Sequence, residues 1–379
     1  MSGRILTTHT GSLPRPPALR DSLMAREAGV PVDESRLQRM VEAAVADVVR
    51  LQRESGVDVV NDGEQGKISY STYVRDRLTG FEGESRAPGG GPSRDMTEHP
   101  DWAKRWLEMI GRAGLKRPAC NGPIQVRDRD AVRRDIANLK RAAGDHEHLF
   151  LSAASPGVIA VFFANDYYPS HEAFVAALAD AMAYEYRAIA DAGIVLQVDC
   201  PDLAMSRHGL FADRSVEEFR SAIRTNVEAL NAALTGIPPE RVRIHVCWGN
   251  YAGPHSHDVP LREIVELLFE VRAAGLSIEA ANPRHAHEFA VFDEVAVPEG
   301  RYLIPGVLDS TTNYIEHPDL VALRLGSYAS RVGRENVMAG SDCGFATSAA
   351  MDMVVPSVVW KKLSAMSDGA AIASRDLWA

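Results

Sequence analysis

Hydrophobic and polar positions along this chain follow two rhythms that take turns. Short runs rich in Val, Ile and Leu end in polar residues: "RILTTHTGS" (4–12), "VDVVNDGE" (57–64), "HLFLSAASP" (148–156), "GIVLQVDCPD" (193–202), "RVRIHVCWGN" (241–250), "LSIEAANPR" (276–284), "RYLIPGVLDS" (301–310) and "NVMAGSDCG" (336–344). Each reads as a strand. Between them lie longer stretches of helical period. In "ESRLQRMVEAAVADVVRLQRESG", Val41, Ala44, Val45, Val48 and Leu51 recur on one helical face. Further helices are predicted over roughly 171–192, 215–234 and 317–332, over "LREIVELLFEVRAAG", and at the C-terminus. Seven of the eight connections contain helical sequence, with 156–170 and 281–301 the least regular.

Eight strands alternating with helices predict a closed (β/α)8 TIM barrel. A doubly wound open sheet with an inserted subdomain is the alternative. No Gly-x-Gly-x-x-Gly follows the first strand and no Gly-x4-Gly-Lys-Ser/Thr loop occurs, which removes the usual reasons for an open nucleotide-binding sheet. The rhythm breaks after the second strand. Residues 80–147 include the Gly/Pro-rich "GFEGESRAPGGGPSRD", which reads as a mobile loop, then two helical patterns around an extended "ACNGPIQV". This is an irregular insertion, and residues 1–379 are expected to form a single barrel domain around it.

Composition narrows the function classes. The chain is 46% hydrophobic and 24% charged, with a net charge of −10 from 51 acidic and 41 basic residues. It has no basic stripe, so neither nucleic acid nor an anionic membrane is an expected partner. No apolar run reaches the ~18 residues of a membrane span. "MSGRILTTHTGSLPRP" lacks the apolar core of a secretory signal, so the expectation is cytoplasmic. The four cysteines, Cys120, Cys200, Cys247 and Cys343, are too few for a disulfide framework and are expected as free thiols or metal ligands. Cys120 reads as incidental, and Cys200 as packed against a helix behind its strand.

In such a barrel the chemistry sits at the C-terminal ends of the strands. The polar residues collected there are Thr8, His9 and Ser12, Asp62 and Glu64, Asp199 and Asp202, His245 and Cys247, Glu279, Asp309, Asp342 and Cys343. His245 and Cys247 stand two apart in one strand and therefore share a face. With Glu279 and Cys343 they offer an imidazole, two thiolates and a carboxylate, all groups that Zn2+ accepts. The bland alternatives are a core histidine bonded to a carbonyl, two small buried thiols, and a rim carboxylate paired with Arg284.

The motifs "TTHTGSLPR", "DGE", "LQVDCPD", "IHVCW", "IEAANPR", "PGVLDS" and "GSDCG" together make the chain resemble the catalytic barrel of cobalamin-independent methionine synthase and its short single-barrel relatives. The resemblance runs from about residue 4 to 375 and is weakest over 80–147. It implies a zinc ion on His245, Cys247, Glu279 and Cys343. It places Glu64 and Asp199 against the ammonium group of an amino-acid thiol, and Thr10, Gly11 and Ser12 at its carboxylate. Without the resemblance, Glu64 and Asp199 would read as solvent-facing loop acids. A site with two cysteinates and a glutamate is electron-rich, which suits thiol alkylation better than zinc hydrolysis.

The chain departs from the family pattern in three ways. It has room for one barrel, where methionine synthases of this class have two. Thr311 stands where the family carries a proton-donating histidine, and a threonine hydroxyl is too weak an acid for that task. The loop "WGNYAGPHSHD" adds His255 and His257, which with Asp309 are candidate proton donors or substrate contacts, or else rim residues. The expected activity is transfer of a methyl or other alkyl group onto a zinc-bound thiol, with a small-molecule thiol and an alkyl donor such as a methylated folate as partners. Composition leaves a homo-oligomer open. Two alternatives stand beside it: epoxide opening by a coenzyme M-type thiol, and a non-catalytic zinc-binding protein.

Overall fold

A computed structural model describes residues 3–84, 93–111 and 118–379, so residues 85–92 of the predicted loop 80–95 lie outside the described residues. Six parallel strands follow one another in chain order: Phe150–Ala154, Val195–Asp199, Val242–Val246, Gly275–Ile278, Tyr302–Leu308 and Gly340–Ser341. Their registers pair Ala154 with Asp199, Asp199 with His245, and His245 with Ser277, so their polar ends rise together at one rim.

The first two predicted strands are shorter than their sequences suggest, and each contributes a single parallel bridge, Thr7 to Ala339 and Val60 to Leu149. Backbone bonds nevertheless carry the ring around. Thr8 N–H donates to Ala339 O at 2.8 Å, Val59 N–H to Thr7 O at 2.9 Å, and Phe150 N–H to Val60 O at 3.0 Å. The ladder is irregular because a side chain intrudes, the Asp58 carboxylate taking the Thr7 N–H at 2.9 Å. The result is the expected (β/α)8 barrel, with the insertion after its second strand.

In the strand Val242–Val246 the apolar residues Val242, Ile244 and Val246 face the helices, and the polar alternates face the barrel axis. Arg243 is fully buried there, donating to Gln197 Oε1 at 2.8 Å, Thr8 Oγ1 at 3.1 Å and the His9 carbonyl at 3.0 Å. Its guanidinium also lies 3.7 Å from the centroid of the Phe150 ring. This polar layer plugs the barrel and forms the floor on which the next layer, His245 and Asp199, stands.

Outer helices match the periodicity closely: Glu34–Glu54, His171–Asp191, Val216–Ala233, Pro318–Val332 and Pro356–Trp378. Asp33 caps the first by accepting from Arg36 N–H at 2.9 Å, a bond worth about 1 kcal/mol. One detail departs from the predicted face. Leu51 is only half-buried, while Gln52 is fully buried. Gln52 meets His9 Nε2 at 2.8 Å and accepts from Asn61 N–H at 2.9 Å, serving polar groups that a leucine would strand. The irregular connections carry the short helices Pro156–Phe162 and Glu288–Asp293. Among the described residues, no helix is long and apolar enough to cross a membrane.

The insertion holds a two-strand pair, Gly83–Glu84 with Pro118–Ala119, and the helices Arg94–Glu98, Pro100–Gly111 and Asp130–Ala143. It returns over the barrel mouth. The buried Asp95 accepts from Ser256 N–H at 3.0 Å, and Trp102 Nε1 donates to Ala252 O at 3.1 Å.

Candidate metal and thiol site

His245, Cys247 and Cys343 each aim a ligand atom at one spot, all within 4.8 Å of one another and all buried. The pleat of one strand brings the first two together, and the eighth strand delivers Cys343 across the rim. His245 Nε2 lies 3.2 Å from the Asp342 carbonyl, and its Nδ1 has no hydrogen-bond partner, sitting 3.4 Å from Asp199 Oδ1 without the alignment to bond it. Burial disfavours charge on that ring, yet Asp199 and Cys343 outweigh it and raise its pKa to about 10. The Cys343 thiol is lowered to about 6 by a hydrogen bond with Cys247, with His245 adding to the fall. Cys247 is correspondingly pushed well up, by Cys343 first and by burial.

Glu279 stands apart from this trio. Its Oε1 accepts from Trp248 N–H at 2.8 Å, and its Oε2 accepts from Asn282 Nδ2 at 2.6 Å and Arg284 at 2.8 Å. It is paired with Arg284, but in the interior rather than at the rim. Asp342 anchors the turn that follows, accepting from the N–H groups of Ala280 and Ala281 at 2.8 Å and of Asn282 at 2.9 Å.

The trio lies in the wall of a cavity of about 540 Å3 that also receives Thr10, Ser12, Glu64 and Asp199. Glu64 is buried with a left-handed backbone, φ 55°. Arg15 pins its turn by donating to the carbonyls of Glu64 and Lys67, at 2.8 and 2.9 Å. Ser152 donates to Glu64 Oε1 at 2.6 Å, while Oε2 has no partner. Burial raises this carboxyl to about 7; Lys67 opposes the rise and Asp199 adds to it. A non-glycine residue held at positive φ with an unpaired buried oxygen is the kind of strain that functional sites carry.

Asp199 Oδ1 accepts from Gln197 at 2.8 Å. Thr10 is tied to the eighth strand through Ser341, its hydroxyl donating to that carbonyl at 3.0 Å. Gly11, at φ 148°, comes so close that a Cβ would lie 2.7 Å from Glu64 Oε1.

The three candidate proton donors lie elsewhere. Asp309 Oδ1 accepts from Thr311 N–H at 2.7 Å and from its hydroxyl at 2.9 Å, in a small recess with Glu279 and Arg284. His257 is at the surface, 2.7 Å from Glu98. His255 is buried beside the cavity, its Nδ1 2.9 Å from Asp258 Oδ2 and its Nε2 3.1 Å from the Tyr251 carbonyl.

Two features had no counterpart in the sequence reading. The first is a cluster in which Asp258 faces three histidines, His208, His255 and His285, each at 2.9 to 3.1 Å. His255 and Asp258 are three apart in one loop, but His208 and His285 come from other parts of the chain, and nothing local announces their meeting. The second is an aromatic wall of Tyr70, Trp106, Phe162 and Tyr251 around the cavity. Its legible trace was Trp102 and Trp106, four apart on one helix and stacked at 6.2 Å.

Comparison with known proteins follows the same lines. The family model of the cobalamin-independent synthase catalytic domain matches residues 158–368. The chain belongs to this family. Among curated members, the methionine synthase of Saccharolobus solfataricus is 24% identical over 374 residues, spanning 98% of this chain and 95% of that protein. That of Sulfurisphaera tokodaii is 25% identical over 375 residues, spanning 98% and 93%. The B12-independent methionine synthase structure from Shewanella sp. W3-18-1, in complex with selenomethionine, has a TM-score of 0.75 at 19% identity over 99% of both chains. A putative one from Listeria monocytogenes has 0.66 at 20%, again over 99% of both. These structures share the synthase barrel, so the cobalamin-independent synthase fold accounts for the whole described chain, including the two weakly paired first strands.

Proposed function

We propose that this cobalamin-independent synthase family member is a zinc-dependent transferase that moves a methyl or other alkyl group onto a thiol, as methionine synthases do. One observation carries the reading: His245, Cys247 and Cys343 converge in the same cavity wall as Glu64, a buried carboxylate with an oxygen left free. The donor set fits zinc, with an imidazole whose Nδ1 is unpartnered and two buried thiols whose sulfurs lie within 4.8 Å of it and of each other. Zinc, when bound, supplies the positive charge that makes an incoming thiol a thiolate at neutral pH, where only a few per cent of a free thiol of pKa ~8.5 is ionised.

The chain's own residues do the rest. His245, Cys247 and Cys343 would hold the ion. Glu279 would be the fourth ligand only on releasing Arg284, which leaves that position open to a substrate sulfur. Glu64 and Asp199 would hold the ammonium of an amino-acid thiol such as homocysteine, and the turn Thr10–Gly11–Ser12 its carboxylate. A sulfonated thiol is disfavoured, because among the described residues no arginine or lysine lines the cavity. Substrate acids beside the ligands also argue against a purely structural metal site.

Zinc-edge X-ray absorption tests the reading. Adding homocysteine should raise the sulfur coordination number by one; no change with any thiol would sink thiol activation.

A further inference from the structure

The aromatic part of the cavity lining bears on which donor it would take. Four aromatic rings line it, in two pairs drawn from different parts of the chain. Trp106 and Tyr251 meet with centroids 5.3 Å apart and planes at 45°, and Tyr70 and Phe162 meet edge to face at 5.9 Å. The thioethers of Met205 and Met351 complete the apolar surface. The charges on this lining are acidic, Glu64 and Asp199, with two cysteines beside them; His245, among the ligands, is the one basic side chain, and no lysine or arginine lines it among the described residues. Aromatic faces and soft sulfur present negative electron density to whatever sits between them. A cavity of one sign with low-dielectric walls concentrates ions of the other sign and repels its own.

Building on the thiol-transfer reading above, we propose that the alkyl donor is a small methyl-bearing onium cation, a sulfonium or a quaternary ammonium, held against Trp106, Tyr251, Tyr70 and Phe162. The chemistry balances without a further group. The thiolate sulfur forms a bond to the methyl carbon, and the bond from that carbon to the onium centre breaks. Its electron pair stays with the leaving sulfur or nitrogen, which departs as a neutral thioether or amine. No proton has to be delivered to the leaving group. The same lining disfavours a donor with a carboxylate tail.

Binding is read first, by tryptophan fluorescence of the whole chain, which contains Trp102 and Trp106 at the mouth. Choline and its neutral isostere 3,3-dimethylbutan-1-ol are the probes. Choline should bind at least about tenfold tighter, the scale of a desolvated cation–π contact. Trp106→Leu, on a half-exposed helix position, should abolish that preference, and Trp106→Phe should keep part of it. Equal affinity of the two probes, or a preference untouched by Trp106→Leu, overturns the proposal.

Turnover separates it from the reading beneath. Zinc-loaded protein with homocysteine should give methionine from methyl iodide, a small neutral electrophile, and from trimethylsulfonium with release of dimethyl sulfide; tetramethylammonium is the nitrogen arm. Methyl iodide used and both onium donors refused would overturn the onium donor and leave thiol activation standing. Failure of methyl iodide would overturn thiol activation, and the onium proposal with it.

Discussion

The ring of Tyr251 stacks on the imidazole of His255, centroids 4.0 Å apart and planes 25° from parallel. His255 is held there by Asp258, and Asp258 by His208 and His285, so a cavity wall rests on one buried carboxylate. The positive φ of His255, 54°, shows how firmly the loop is constrained.

Removing that charge should therefore loosen the wall. Asp258→Asn is expected to cost on the order of 3 kcal/mol, because it leaves the buried His285 cation without one of its two carboxylate partners. Differential scanning calorimetry gives the stability change, and loss of near-UV dichroism from Tyr251 and the neighbouring tryptophans reports the loop. A variant as stable as the parent would mean the cluster is dispensable.

The same cluster sets a pH dependence. His285 lies between two carboxylates, with Nδ1 2.8 Å from Glu288 and Nε2 3.1 Å from Asp258. Burial works against its charge, but the two acids win and raise its pKa to about 9 from 6.5. The folded state thus binds this proton more tightly. The stabilisation is complete below pH 6.5 and is lost as pH rises through about 9. Thermal midpoints should fall across that window, and Asp258→Asn should flatten the fall; an unchanged slope in the variant would count against it.

Glu64 gives the opposite dependence for ligand binding. With its pKa near 7, it is partly neutral below that pH and pairs poorly with an ammonium. Lys67, Arg15 and Asp199 face it, and Ser152 bonds it. Methionine affinity by calorimetry should rise as pH increases from 6 toward 8, by up to about tenfold per unit below the pKa. Glu64→Gln should remove the slope.

Gly11→Ala tests the same contact by shape. The added methyl would meet Glu64 Oε1 at 2.7 Å, at a φ of 148° that L residues avoid. Roughly 1–3 kcal/mol of strain is expected. Amino-acid affinity should fall more than in Glu64→Gln if the turn also receives the carboxylate.

Metal content separates Glu279 from the trio. Cys247→Ser or Cys343→Ser should strip most of the zinc, measured by elemental analysis. Glu279→Gln, which spares the converging atoms, should weaken zinc by only about 10–100-fold. Full retention in both cysteine variants would mean the ion sits elsewhere.

The sequence alone determined the barrel and picked out the three residues that converge in the candidate metal site. Strand and helix periods are local properties of the chain, and the pleat makes His245 and Cys247 neighbours whatever surrounds them. Strand-end position was enough to pick out Cys343, because barrel rims gather such residues. Only tertiary structure decided the rest. Glu279 turns to Arg284, the insertion brings Trp106 over the mouth, and His208, Asp258 and His285 meet across 77 residues of chain. Those choices depend on how loops fold back over the rim, where a few ion pairs and ring contacts select among conformations that no local period distinguishes.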